Sequence, residues 1–424
     1  LHLDDRHVRG ADQSGFSASI VDVCCYVVNN CQPLMAAGRS LVLYLPKIQT
    51  AEEAAHWQDL LARLEAHLGL ADASIKTYVL VEQLEASFQL MEIRAALGRR
   101  FIGFNTGRWD YINSVADAMA WDRSFVNPNI DAITMSFGYM RVYEDRVRRA
   151  VNTPDRSGRF ALWQGGMEPN IPVGSRQGVA AGMKRAIAGA ERECAAGASG
   201  KWVAHWKMVQ IVRPVWEKVG QANQLGRAFP PLHYEASDAA ALTSLEPAPR
   251  TVRGARDLIS VALQYGNAFE RGLQAAALKP ADFFRDESVL YLMEDMATGE
   301  IRLSILWEWL HKAAPFSEDD RAVGVVEGQP LTAALLNRLI AEEYTKLEEA
   351  SNRDVHDDSK RTTLPIARAI VERYLESASK LPWYIDLLNL VLEVDDLDRA
   401  RARLADYIAR FAIDATRLTE NADF

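Results

Sequence analysis

Phe104-Asn-Thr-Gly-Arg-Trp-Asp110 closes an apolar run that starts at Arg100, and Gly107 allows it to turn sharply. An apolar run of this length reads as a buried strand. A strand that ends in a glycine turn and then a carboxylate puts that carboxylate on the rim where parallel α/β folds keep their chemistry. The same unit recurs along the N-terminal half. Strand-like runs lie at 40–45, 75–81, 100–104, 132–135, 160–164 and 201–205. Helical patterns lie at 17–35, 50–68, 89–97 and 179–195, and Thr50-Ala-Glu-Glu53 reads as an N-cap followed by an acidic first turn. So many strand–helix units indicate the α/β class, and a (β/α)8 TIM barrel rather than a doubly wound sheet.

After a patternless link at 220–249 the strand signal fades. Helical patterns follow at 252–278, 301–314, 330–350, 365–377 and 397–411, and the charged stretch 349–361 reads as an exposed connector. Two domains are expected: a barrel over 1–249 and an all-helical C-terminal domain over 250–424.

Bulk properties exclude several classes. The chain has 424 residues, enough for two buried cores, and its net charge of −9 disfavours nucleic acid or an anionic membrane as partner. Cys24, Cys25, Cys31 and Cys194 form neither a disulfide scaffold nor a metal motif, so buried reduced thiols in a cytoplasmic protein are expected. No apolar stretch approaches membrane-spanning length and no signal peptide is visible. There is no His-Glu-x-x-His, P-loop, Gly-x-Gly-x-x-Gly or Gly-x-Ser-x-Gly.

Three carboxylates stand out. Glu82 and Asp110 each follow a strand, so a parallel barrel brings them to one rim. A carboxylate pair without histidine or thiolate suits a hard cation such as Mg2+. The alternative is a pair of loop-end acids neutralised by neighbouring arginines. Asp295 lies in Leu292-Met-Glu-Asp295, on a loop before the helix expected at 301. Held partly out of water there, it would have a raised pKa and could act as a general base. The alternative is an exposed acidic pair, Glu294 and Asp295, capping that helix. His205 follows a strand, and a satisfied structural role is expected for it.

Taken together these pieces resemble the malate synthase family. The matching blocks are Tyr44-Leu-Pro-Lys47 with Glu52-Glu-Ala; Val79-Leu-Val-Glu82; Gly107-Arg-Trp-Asp-Tyr-Ile112; Gly165-Gly-Met167 with Ile171-Pro172; Gly200-Lys-Trp-Val-Ala-His205; and Leu292-Met-Glu-Asp295 with Ala297-Thr298 and Glu300-Ile301. They occur in the family's order over roughly residues 1–390. The resemblance implies a barrel closed by a C-terminal helical domain. It implies a Mg2+-dependent condensation of acetyl-CoA with glyoxylate, followed by hydrolysis to malate and CoA. Glu82 and Asp110 would be the metal ligands and Asp295 the catalytic base. Gly107, Arg108 and Trp109 would meet glyoxylate, its carboxylate held by backbone N–H groups. Met167, Trp202 and Met293 would line the acetyl and pantetheine channel. An oligomer is compatible with this reading.

The sequence also departs from the family pattern. The family's enolate-stabilising arginine would fall two residues before Leu1, and Arg6 and Arg9 do not match its spacing. The expectation is that the chain starts inside a longer natural one, with the first barrel strand before residue 1. Around the acyl pocket, Gly-Gly-Met-Ala-Ala-Phe becomes Gly165-Gly-Met-Glu-Pro-Asn170, the small residue after the base is Met296, His-Pro becomes His205-Trp206, and Thr106 replaces a frequent cysteine. A related malyl- or citramalyl-CoA lyase, or a synthase for another acyl-CoA, is the alternative within the same chemistry. A non-catalytic CoA-binding scaffold is the alternative outside it, and three retained carboxylates speak against that.

Overall fold

The structure is a computed structural model that describes residues 8–227, 235–279, 281–283, 291–353, 360–381, 387–388, 397–406 and 409. The strands are β1 (Val8–Arg9), β2 (Gly15–Phe16), β3 (Leu41–Leu45), β4 (Ile75–Val81), β5 (Phe101–Thr106), β6 (Leu162–Glu168), β7 (Gly200–Val203), β8 (Ala276–Leu278) and β9 (Leu292–Glu294). The helices are α1 (Ala18–Ala36), α2 (Ala51–Leu68), α3 (Leu90–Leu97), α4 (Arg108–Ala118), α5 (Gly138–Asn152), α6 (Arg176–Ala196), α7 (Val209–Glu217), α8 (Ala236–Ala241), α9 (Val252–Glu270), α10 (Met296–His311), α11 (Ala333–Arg353) and α12 (Lys360–Glu376).

Strands β3 to β7 form one parallel sheet in sequential order. Each crossover therefore joins neighbouring strands, as in a singly wound barrel wall. All five C-terminal ends point to the same side. The apolar runs behind these strands bury their residues: Leu41, Leu45, Ile75, Val79, Val81 and Phe104 are all in the core. Helix α2 starts as its sequence indicates. Thr50 accepts from the Glu53 amide at 3.2 Å, and the Glu53 carboxylate accepts from the Thr50 amide at 3.2 Å.

Three sequence expectations are corrected. Residues 132–135 do not form a strand; a 3-10 turn over Ile130–Ala132 leads into a loop in which Phe137 donates to the Thr134 carbonyl at 3.0 Å. Ile133 is buried there as a core plug, so its hydrophobicity reports packing without a ladder. The helix expected to 278 ends at Glu270. Gly272 (φ +80°) and the Leu273 amide close its last turn by bonding back to Phe269 and Ala268. The thiols are not uniformly buried: all four are free, but Cys25 is exposed and only Cys31 is fully buried. Residues 1–7, 354–359 of the expected connector, 289–290 before β9, and 407–408 and 410–411 of the last expected helix lie outside the described residues. No helix among the described residues is long and apolar enough to cross a membrane.

Helix α10 joins the two parts. Residues Ala297 to Trp309 are buried all round, so this helix lies inside the molecule. On one side Trp309 donates its indole N–H to the Asn127 carbonyl at 2.7 Å, and Lys312 donates to the Met119 and Phe125 carbonyls at 3.0 and 2.8 Å. On the other, Trp307 donates to the Ser377 carbonyl at 2.9 Å. The buried Lys380 ammonium forms an ion pair with the partly exposed Asp117 of α4.

Glu308 is fully buried and accepts from the Asn127 amide at 2.9 Å. Burial pushes its carboxyl from 4.5 up to about 7, against the opposing Lys312 ammonium. An acid with a raised folded pKa stabilises the fold below its unfolded pKa and loses that contribution as pH rises. Glu308 should therefore cost about 3 kcal/mol of stability as pH rises from 4.5 to about 7. Urea unfolding at both pH values should show that slope, and Glu308→Gln should flatten it.

Candidate active site

Two strand ends and one helix start meet at a cavity of about 350 Å³. Glu82 follows β4 directly and is 2% exposed. Asp110 lies in the first turn of α4, just after β5. Gly107 makes their approach feasible: a Cβ at that position would lie 2.8 Å from Glu82 Cβ and 3.0 Å from its Oε2. Gly107 donates its amide to the Val81 carbonyl at 3.3 Å and caps α4 without a side chain. The first amides of a helix have no intrahelical acceptor, so this end of α4 can take an anion.

Asp295 reaches the same cavity from the far end of the chain. Residues 169–171, which continue past β6, pair with β9: the Met293 amide donates to the Pro169 carbonyl at 2.8 Å and the Ile171 amide to the Tyr291 carbonyl at 3.1 Å. This short antiparallel pairing delivers Asp295 to the rim. Asp295 is not on a loop ahead of the helix, as expected, but is its N-cap, accepting from the Thr298 amide at 3.4 Å. The helix starts earlier than expected because the Asp295 carboxylate satisfies that amide. Burial, with the Asp110 carboxylate adding to it, holds the Asp295 carboxyl above the usual range, and Lys47 opposes them.

Sequence reasoning places Lys47 in a motif and assigns it no role. Its ammonium lies 2.7 Å from Asp110 Oδ2 and 3.1 Å from Glu82 Oε1. Its backbone amide also donates to Glu82 Oε1 at 2.7 Å, from a left-handed conformation (φ +58°) unusual for a side chain of this size. The partner of the two carboxylates is thus this lysine and not an arginine. The signal available is Pro46-Lys47 directly after a strand, on the same rim as Glu82. Burial raises the Glu82 carboxyl, the Asp110 carboxylate adds to that, and the Lys47 ammonium opposes it. An ammonium between two hard oxygen donors marks a position whose field attracts a cation, and that donor set fits Mg2+. The described residues hold no group of three His, Cys, Asp or Glu side chains around one point.

The cavity wall includes Gly107, Arg108, Trp109, Met167 and Trp202 together with Glu82, Asp110 and Asp295. Met293 is not among the lining residues; its strand runs alongside, bonded to Pro169. Trp202 donates its indole N–H to Gln164 Oε1 at 3.0 Å and meets the Tyr44 ring edge-on at 4.5 Å. His205 is satisfied: its Nδ1 accepts from the Lys207 amide at 3.2 Å. Glu294, half of an exposed capping pair in the alternative reading, is 4% exposed and lies 3.4 Å from Arg302.

A parallel sheet with carboxylates over its C-terminal rim, crossed by a helix from a second unit, defines an α/β barrel-type protein with a built polar cavity. Residues 1–231 match the family description "Malate synthase, TIM barrel domain", and residues 250–379 match "Malate synthase, C-terminal". The chain belongs to the malate synthase family. It is 37% identical to the bifunctional glyoxylate cycle protein of Caenorhabditis elegans, over 80% of this chain and 33% of that one. It is 31% identical to malate synthase of Myxococcus xanthus (82% of this chain, 59% of that one) and 30% identical to malate synthase A of Escherichia coli (85% and 64%). It thus spans between a third and just under two thirds of these relatives' lengths.

Proposed function

We propose that this cavity condenses acetyl-CoA with glyoxylate and hydrolyses the product to malate and CoA. The observation that supports this most is that Glu82, Asp110 and Asp295, from three distant segments, line one cavity beside the α4 N-terminus. In this reading residues 1–249 carry the barrel and 250–424 the helical unit that supplies the base. Glu82 and Asp110 would hold Mg2+, which when bound supplies the Lewis acidity that polarises the glyoxylate aldehyde. The α4 amides at Arg108 to Asp110 orient the glyoxylate carboxylate. Asp295 takes a proton from the methyl carbon of the thioester, and that carbon attacks the aldehyde carbon. Water then cleaves the thioester, releasing malate and the CoA thiol. Met167 and Trp202 line the path of the acetyl and pantetheine groups, and the strand of Met293 flanks it. The four free thiols support a cytoplasmic location.

The test is thiol release from acetyl-CoA, measured with glyoxylate and Mg2+ together and with each omitted. Release that needs both supports the reading. No release from the full-length protein would sink it, and accumulation of free malyl-CoA would move the assignment to a lyase.

Lys47 gives a second check. Its ammonium and Mg2+ would compete for the same two carboxylates. Lys47→Met should therefore tighten Mg2+ binding by about 10-fold, the range of a modest coupling between sites. Without Mg2+ the same variant should melt lower, because the buried Glu82 and the partly buried Asp110 lose their counter-charge. Calorimetric titration and thermal melts with and without Mg2+ read both effects. Weaker Mg2+ binding in this variant would show instead that Lys47 supports the metal.

A further inference from the structure

Four side chains from four strands meet on one face of the sheet. Tyr44 lies on β3, Tyr78 on β4, Gln164 on β6 and Trp202 on β7. In a flat sheet β3 and β7, four strand spacings apart, would be about 19 Å from each other. The Tyr44 and Trp202 rings nevertheless meet edge-on at 4.5 Å. The sheet is therefore curled, and this cluster fills its concave side. The Tyr44 and Tyr78 rings stack at 4.8 Å. Gly103 on β5 leaves room for the Tyr78 ring, since a Cβ there would lie 2.5 Å from Tyr78 Cε1.

Gln164 ties the cluster together. Its Oε1 accepts from the Tyr44 hydroxyl at 2.6 Å and from the Trp202 indole N–H at 3.0 Å. An indole N–H only donates, which identifies this atom as the amide oxygen, and two donors occupy both of its acceptor positions. The Tyr78 hydroxyl also bonds this side chain. Of these four residues only Trp202 lines the cavity that holds Glu82, Asp110 and Asp295. Its indole presents an apolar wall there and has one polar atom to satisfy. The ring turns about two side-chain bonds, and the hydrogen bond to Gln164 selects one orientation.

We infer that Gln164 is a positioning residue for the acyl thioester: through the Trp202 indole it sets the cavity wall before the thioester enters. The inference rests on the thioester reading above and adds no covalent step to it. An apolar wall suits the acetyl methyl and the pantetheine chain. A wall held in advance costs less to order on binding, so the anchor acts on thioester affinity and not on the chemical step.

The test uses the full chain with Gln164→Met, Trp202→Phe, the two together, and Gln164→Glu. Calorimetry with acetyl-CoA reads affinity, and thiol release reads kcat and the KM of each substrate. Gln164→Met keeps the length and loses the acceptor, so acetyl-CoA should bind about fivefold more weakly, within what one lost hydrogen bond is worth. Its kcat and its KM for glyoxylate should stay within about twofold, because the anchor serves binding of the thioester alone. Trp202→Phe removes the donor, so adding Gln164→Met to it should cost no further affinity. Gln164→Glu keeps an acceptor oxygen and should bind acetyl-CoA within about twofold of the unsubstituted chain. Without any ligand, the Trp202 indole N–H resonance, assigned by its loss in Trp202→Phe, should exchange slowly with solvent in the unsubstituted chain. Fast exchange there overturns the inference even if Gln164→Met fails to fold. Additive losses in the double variant overturn it too, as does a glyoxylate KM that rises together with that of acetyl-CoA. Acetyl-CoA affinities that follow this pattern without any thiol release would sink the parent reaction and leave the positioning role of Gln164 standing.

Discussion

Asp295→Asn should reduce glyoxylate-dependent thiol release by about 10³-fold, within the range a positioned general base contributes. The substitution keeps the N-cap acceptor that binds the Thr298 amide, so α10 should still start at the same place. The loss would then report missing proton transfer and not a displaced helix. Thermal melting should move little, because asparagine caps as well as aspartate. The pH profile gives an independent check. In the proposed role Asp295 must be ionised, and its carboxyl is held above the usual aspartate range by burial and by Asp110. Thiol release should therefore fall on acidification at a higher pH than an ordinary aspartate would give. Activity that survives Asp295→Asn would transfer the proton to another group.

Asp110→Ala should weaken Mg2+ binding by about 100-fold or more, since it removes one of the two carboxylates proposed as ligands, where even supporting partners are worth 10–100-fold. Glyoxylate binding that depends on Mg2+ should weaken with it. The variant leaves the Lys47–Glu82 ion pair in place, so the carboxylate that remains is still neutralised and the rim should stay folded. Calorimetric titration of Mg2+, then of glyoxylate at saturating Mg2+, measures both. Unchanged Mg2+ affinity would take Asp110 out of the metal site and leave it as the lysine's counter-ion.

Much of the rim is legible in the amino-acid order alone. The runs leading to Glu82 and Asp110 are short and apolar, and each reads as a strand because burial on both faces requires such a run. Thr50 and Glu53 announce their capping box by spacing. The run 132–135 misleads because four residues of this kind plug a core as readily as they pair in a sheet. Asp295 stands out as a residue, but its place in the helix does not: a capping aspartate resembles a loop aspartate until the Thr298 amide is seen to donate to it.

The sequence by itself determined the parallel architecture, the glycine turn at Gly107 and the three carboxylates, because strand and turn preferences act over a few residues and leave a local pattern. Only the tertiary structure decided what those carboxylates face. Lys47 lies between Glu82 and Asp110, and β9 carries Asp295 along residues 169–171 to the rim. Ion pairing and burial join residues far apart in the chain. Whether a charge is neutralised, and by what, depends on which segments the fold stacks together, and no local period records that.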